Sequence, residues 1–368
     1  MVELSNRRFA YVDLIRGLSA LTVLICHYRW LFARDVNDWR ADAPLPLYDW
    51  LWPIYEHGGI AVQMFWLLSG FVFCVAYGAK GRDISAREFW VHRVARLYPL
   101  HLATLVLVAA LEAISLIVHG RLTIEPNFDI PHFVAQLFFA SNWFTMEPSF
   151  NGPIWSVSIE VLIYFLFLFY MKRAGLSLAW AIGMAALAFS IDLSTNSPIA
   201  QCATLFFAGV AIGILTPLVQ RRLGRKLLFL SLAGLACVIG LGFAVALAGH
   251  GIHVERIMIY VGTTALLAVF LSFDLHLRPL SPRFYWIGAI TYAVYLLHMP
   301  MIIAVKIIVP DPPGLSSPLT LVAYVAVVIL ASLFVYRRFE LPAQRYVRQR
   351  WAASPKAPSA RLAEQAAP

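Results

Sequence analysis

Charge is scarce in this chain: Asp, Glu, Lys and Arg supply 13% of its 368 residues, about half the quarter usual in soluble domains. With 60% hydrophobic residues and a mean hydropathy of +0.72, that scarcity excludes a soluble globular protein and leaves no room for a large extra soluble domain. Cysteine is sparse as well. Cys26, Cys74, Cys202 and Cys237 all lie inside apolar runs without C-x-x-C spacing, so neither a disulfide framework nor a metal site follows. There is no repeat at solenoid periods and no evident second copy of any motif. Acidic residues are outnumbered, 20 against 29 Lys and Arg. The excess positive charge sits in short segments between apolar runs, where it orients helices and does not indicate a nucleic-acid partner.

What the chain does have is a series of apolar runs of spanning length, at 11–32, 60–78, 97–118, 154–171, 176–192, 199–217, 227–248, 256–273, 285–306 and 318–337. They predict an all-α integral membrane protein with about ten transmembrane helices. The first run carries Asp13 and Arg16, is too long for a signal-peptide core and lacks a small-residue cleavage site, so it is expected to stay in the mature protein. Placing the N-terminus in the cytoplasm puts 22 of the 29 Lys and Arg on that side and six on the other, with Arg16 inside the membrane. Both termini are therefore predicted to be cytoplasmic. Two external segments, 33–59 and 119–153, exceed connector length and are rich in aromatics, among them Trp39, Trp50, Trp52, Trp143 and Phe144. They fit either an interfacial aromatic belt or a roof over a site open to the outside. A transmembrane domain over 1–350 is followed by 351–368, whose Ala, Pro, Ser and scattered charge read as a disordered cytoplasmic tail.

An ionisable side chain in a spanning helix costs about 2.5–3.5 kcal/mol on the insertion scale, so each is a site candidate. In helix one, Arg16 and His27 are eleven residues apart, about three turns, which puts them nearly on one face and roughly 16 Å apart along the axis. Asp13 stands three residues before Arg16, within pairing reach. Arg16 also fits a snorkelling anchor, and His27 a satisfied interior histidine. Glu160 lies about six residues below the outer start of helix four, at a depth matching His27. A carboxylate beside an imidazole would fix its tautomer for general-base work; pairing of Glu160 with Arg29 is the alternative. Thr291, Tyr295 and His298 in helix nine share a polar stripe. Ser69 and Gly70 read as a close helix contact. Glu112 lacks a sequence-local partner. Arg93 and Arg96, one turn apart just before helix three, suit phosphate oxygens as well as positive-inside anchoring.

At these residues the chain resembles acyltransferase family 3, the integral membrane O-acyltransferases that include polysaccharide O-acetylases. The resemblance runs through VDLIRGLSALTVLICHY with Arg16 and His27, FWLLSGF in helix two, Arg93-x-x-Arg96 followed by LYPLH, WSVSIE ending in Glu160, YAVYLLH in helix nine, and FELP with Glu340 and Pro342. It implies transfer of an acyl group, acetyl by default, from cytoplasmic acyl-CoA to a hydroxyl of a saccharide or glycolipid at the extracytoplasmic face of a bacterial inner membrane, without a metal. His27 corresponds to the essential histidine, Arg16 to its paired arginine, Arg93 and Arg96 to the Arg-x-x-Arg pair, and Glu160 to the acidic residue. Many members carry a fused hydrolase-like extracytoplasmic domain. Without one in this sequence, the chain is expected either to complete transfer itself or to hand the acyl group to a separate extracytoplasmic acyl-handling protein.

The polarity of the stripe agrees with such a donor, whose charge lies at the nucleotide end and whose thioester lies at the tip of a slender arm. Arg16, Arg93 and Arg96 are expected to hold the phosphates and His27 to act as base or acyl carrier, with Glu160 orienting it. Trp143, Trp155, Tyr295 and His298 are candidates for acceptor binding. A multipass transporter or flippase is the competing class, but the inverted repeats and broken helices of carriers are not evident.

Overall fold

The computed structural model describes residues 7–33, 44–143, 147–248, 251–309 and 314–352. Trp39, Phe144 and the tail expected beyond residue 352 lie outside the described residues. The described residues form, besides shorter helical turns, the helices α1 Ala10–His27, α2 Tyr48–His57, α3 Ile60–Tyr77, α4 Ala86–His119, α5 Ile130–Leu137, α6 Ile154–Ala174, α7 Leu178–Thr195, α8 Pro198–Leu223, α9 Lys226–Leu247, α10 Thr263–His276, α11 Thr291–Ile308, α12 Pro318–Val335 and α13 Leu341–Ala352. All of these except α2 and α5 contribute to ten helical segments long and apolar enough to cross a membrane, α12 and α13 sharing the last one. Among the described residues there is no strand, only an isolated bridge between Asn127 and Ser149.

Helix starts follow local chemistry. Ser85, Ser177, Ser197 and Ser317 accept a backbone N–H from the first turns of α4, α7, α8 and α12, and Pro198 and Pro318 occupy first-turn positions where no N–H is needed. The same capping explains a difference from the sequence expectation. The third apolar run begins at 97, yet α4 begins at Ala86 because Ser85 caps it and receives the Glu88 N–H at 3.3 Å. Arg93 and Arg96 thus stand inside α4. At the other end of the chain the last span continues through a π-helical turn, Tyr336–Glu340, into α13. The α1 start borrows its cap from another element: Tyr11 and Val12 donate their N–H groups to the two carboxylate oxygens of Asp274 at 3.0 and 2.9 Å.

Burial separates the centre from the rim. In α3, α6, α8 and α11, 61% of the most apolar stretch is buried, against 11% in α9 and 17% in α7. The centre is built on close approach between α3 and α8, where a Cβ at Gly70 would collide with the Phe206 carbonyl and one at Gly209 with the Leu67 carbonyl. Gly209 and Gly213 form a G-x-x-x-G spacing that admits the neighbouring backbone, which agrees with the packing reading at Gly70, whereas Ser69 faces the cavity. The main neighbours of α1 are α3, α10 and α11, together with the helical turn Trp286–Ala289. Glycine again sets the distance: a Cβ on Gly17 would meet Ile287 and one on Gly288 would meet Asp13.

The described parts of the two long segments are folded. In the first, α2 is tied back by Arg29, which pairs with Glu56 at 2.8 Å, and by buried Tyr55, which donates to the Pro46 carbonyl at 3.1 Å. Trp50 is 84% exposed there, the placement expected of an interfacial belt. In the second, buried Gln136 is the clasp. Its amide donates to the Ser149 carbonyl at 2.9 Å, its side-chain oxygen accepts the Asn151 N–H at 3.1 Å, and its backbone carbonyl accepts from His101 at 2.8 Å. This ties the segment to α4 and to the start of α6.

Candidate active site

Gly17, Gly288 and Ser85 fix where α1, α11 and α4 lie, and between these helices, α3 and α6 is a cavity of about 150 Å³. Its lining includes Arg16, Arg93, Arg96, Ser69, Glu160, Tyr164, Thr291, Tyr292 and Tyr295. Three guanidiniums from two helices, Arg16 on α1 and Arg93 and Arg96 on α4, therefore converge. Their partners differ. Arg16 contacts Asp13 at 3.3 Å, and Arg96 forms an ion pair with Glu340, which is 1% exposed. The Arg93 guanidinium lies over the rings of Phe73 and Tyr77, 4.6 and 5.7 Å from their centroids, with its Nε buried and without a hydrogen-bond partner. Glu340, which the sequence placed in the FELP segment, thus anchors the cation cluster; Gln344 donates to it at 3.0 Å.

Glu160 accepts hydrogen bonds from Ser69 at 2.5 Å and Tyr164 at 2.7 Å. Among the described residues no hydrogen bond or ion pair joins it to His27, so the expected Glu160–His27 arrangement gives way to a different one. Equal depth did not make the residues neighbours, because α1 packs chiefly on α3, α10 and α11. The alternative pairing with Arg29 is not formed either, since Arg29 reaches Glu56.

The residue against His27 is His298, with ring centroids 4.9 Å apart and planes tilted by 50°. His27 Nδ1 lies 2.8 Å from the Val23 carbonyl and His298 Nδ1 3.1 Å from the Val294 carbonyl. Carbonyl oxygens only accept, so each Nδ1 carries a proton and each Nε2 is left as a lone pair. Tyr295 connects this pair to the cavity: its ring lies 5.9 Å from His298 and 6.1 Å from Phe65, and its hydroxyl bonds the Pro153 carbonyl at 3.0 Å and Ser156 at 2.6 Å. Phe65 and Tyr295 both line the cavity. His27 and His298 do not line it.

Of the acceptor-binding candidates, Tyr295 lines the cavity and His298 touches His27. Trp143 and Trp155 are packed elsewhere. Trp143 donates its indole N–H to the Ser158 carbonyl at 2.9 Å, and Trp155 packs edge-on against Trp66 at 5.7 Å. Sequence reasoning missed Asp274, Gln136, Asn151 and Glu125. Asn151 is fully buried and donates to the Leu296 carbonyl at 3.2 Å. Glu125, outside the spanning helices, is buried against Gly152, where a Cβ would strike its carboxylate. Burial first, and the neighbouring Glu112 second, push its carboxyl up to about 8. Glu112 itself accepts the Thr123 N–H at 2.8 Å. Among the described residues no group of three or more His, Cys, Asp or Glu side chains converges to hold a metal.

Comparison with known proteins matches residues 9–337 to the family described as Acyltransferase domain. Acyltransferase MdmB of Streptomyces mycarofaciens is 32% identical over 191 residues, covering 50% of this chain and 45% of that protein. Protein 2 in picA locus of Rhizobium radiobacter is 32% identical over 179 residues, 44% of this chain and 82% of that protein. O-acetyltransferase OatA of Staphylococcus aureus is 23% identical over 350 residues, 81% of this chain and 55% of that protein. The chain thus spans about half the length of MdmB and OatA. No solved structure matches. With the match running from the start of α1 to the end of α12, through every helix that lines the cavity, the chain belongs to the acyltransferase 3 family.

Proposed function

We propose that this protein is a membrane-embedded O-acyltransferase that moves an acyl group, acetyl by default, from acyl-CoA on the side of its termini to a saccharide or glycolipid hydroxyl at the opposite face. The observation that carries this reading is a cavity lined both by three guanidiniums and by Tyr295, which touches His298 and through it His27. An acyl-CoA has the matching polarity. Its phosphates suit the arginines, and its slender arm suits a passage lined by Val62, Phe65, Val72 and Leu97. Arg93, whose Nε lacks a protein partner, is the cation free to engage a phosphate without giving up a carboxylate. Glu160 keeps the region from becoming purely cationic, and its bonds to Ser69 and Tyr164 hold it on the cavity wall.

In the transfer itself, His27 Nε2 removes the proton of the acceptor hydroxyl as that oxygen attacks the thioester carbon. The Val23 carbonyl holds the ring in the tautomer this requires. Tyr295, on the cavity wall and in ring contact with His298, stands between the donor cavity and the histidines that the thioester must reach. The lysine and arginine bias read from the sequence supports a cytoplasmic placement of both termini, and hence of the donor side, in a bacterial inner membrane. A separate extracytoplasmic protein carrying the acyl group onward is compatible with the same chemistry.

Mass spectrometry of surface glycans and glycolipids from cells with and without the gene tests the reading. Loss of one acyl group from a defined saccharide, restored by the wild-type gene and not by a His27→Ala copy, is expected. An unchanged acyl pattern together with substrate translocation by the purified protein, and no consumption of acyl-CoA, contradicts it and favours a carrier.

A further inference from the structure

Resting on the reading of His27 as the base, we propose that His298 is its proton partner, a positioning residue that shares the proton His27 takes from the acceptor hydroxyl. The rings lie 4.9 Å apart between centroids, tilted by 50°. Both Nδ1 protons are already committed to carbonyls one turn back on their own helices, so both Nε2 atoms are acceptors and, in the resting state, have nothing to give each other. His298 is 0% exposed, and its Nε2 is sealed in without a hydrogen-bond partner. An unpaired buried ring nitrogen is unfavourable, a cost that an apolar side chain in the same place would avoid. The position becomes favourable once a proton arrives, because the Nε2–H of a His27 imidazolium is then a donor and the His298 Nε2 an acceptor.

None of the described carboxylates bonds either ring. The charged group acting on His27 is Arg29, itself paired with Glu56 at 2.8 Å. Around His298 are Tyr295 on its own helix and Tyr324 of α12, whose hydroxyl donates to the His298 backbone carbonyl at 3.4 Å. His298 thus takes the place expected of Glu160. The step balances without a co-reactant. The acceptor O–H bond breaks and an O–C bond forms at the acyl carbon, while the C–S bond breaks with its electron pair going to sulfur. The proton passes to His27 Nε2, is shared with His298, and returns to the thiolate, giving ester and thiol.

The test uses the full chain in detergent with two readouts across pH 5–9: thiol release from acetyl-CoA, and modification of His27 by diethyl pyrocarbonate, which attacks the unprotonated ring, located by mass spectrometry. His298→Phe keeps a buried ring but no lone pair. It is expected to lower thiol release by about 10²-fold at unchanged KM and to move the midpoint of His27 modification about one pH unit toward acid. His298→Gln, whose amide oxygen still accepts a hydrogen bond, should stay within about tenfold of wild type and carries the pH readout if the Phe variant does not fold. Two results overturn the proposal: a His298→Phe protein that matches wild type in both readouts, or Gln and Phe variants equally impaired with the His27 midpoint unmoved. Inactive His27→Ala beside wild-type turnover in His298→Phe refutes the partnership alone. Active His27→Ala refutes the reading of His27 as base.

Discussion

Two carboxylates with opposite surroundings make separable predictions. Glu340 is enclosed and neutralised by Arg96, with Gln344 as its second partner. Removing the cation leaves a buried charge uncompensated, which typically costs about 3–5 kcal/mol. Arg96→Ala is therefore expected to lower thermal stability in detergent sharply, with partial recovery in the Arg96→Ala/Glu340→Gln double variant. Arg93→Ala should melt near wild type and weaken donor binding instead, because Arg93 has ring contacts where Arg96 has a carboxylate. Equal melting of the two single variants would contradict this assignment. Glu125 gives a pH dependence. Its carboxyl, ordinarily near 4.5, is pushed up to about 8 in the fold, so between these values the folded chain holds a proton that the unfolded chain has lost. Stability is full below about 4.5 and declines as pH rises toward about 8. Glu125→Gln should abolish that decline, raising stability by on the order of a few kcal/mol at pH 8 and little at pH 5, as read from melting curves at the two pH values.

At the scale of the elements, the α3–α8 crossing is the contact on which the centre depends. A side chain at Gly70 meets backbone at Phe206, which cannot move aside as a flexible side chain would, whereas a Cβ at Gly183 or Gly234 meets nothing. Gly70→Val should destabilise by at least about 1–3 kcal/mol, and Gly183→Ala should be neutral; comparable melting temperatures for the two would disprove the packing argument. The same elements show what sequence patterning can carry. Apolar runs located the spans because a bilayer imposes about 20 apolar residues on each crossing. The runs failed at the first turns of α4 and at α13, where helix continues through Arg87–Arg96 and Leu341–Ala352 without apolar patterning. There capping and packing against a neighbouring helix sustain the structure, and hydropathy is silent. Long-range caps such as Asp274 on the start of α1 were equally invisible, since nothing near Tyr11 in the sequence announces them.

For the whole molecule, position along each helix was legible and direction around each helix axis was not. The convergence of Arg16, Arg93 and Arg96 followed from their shared distance to one face. The same reasoning joined Glu160 to His27, although which helix packs beside α1 depends on the assembled bundle. Tertiary packing set His298 there instead. The cation cluster and the imidazole pair are linked through Tyr295, which lines the cavity and touches His298. The central claim is that acyl-CoA supplies the group and His27 receives the acceptor's proton. Thiol release from acetyl-CoA by the purified full chain, wild type against His27→Ala, tests this most directly. The account predicts turnover in the wild type and a loss of at least about 10²-fold in a variant that still melts cooperatively and still binds the donor. Wild-type turnover by His27→Ala would contradict it.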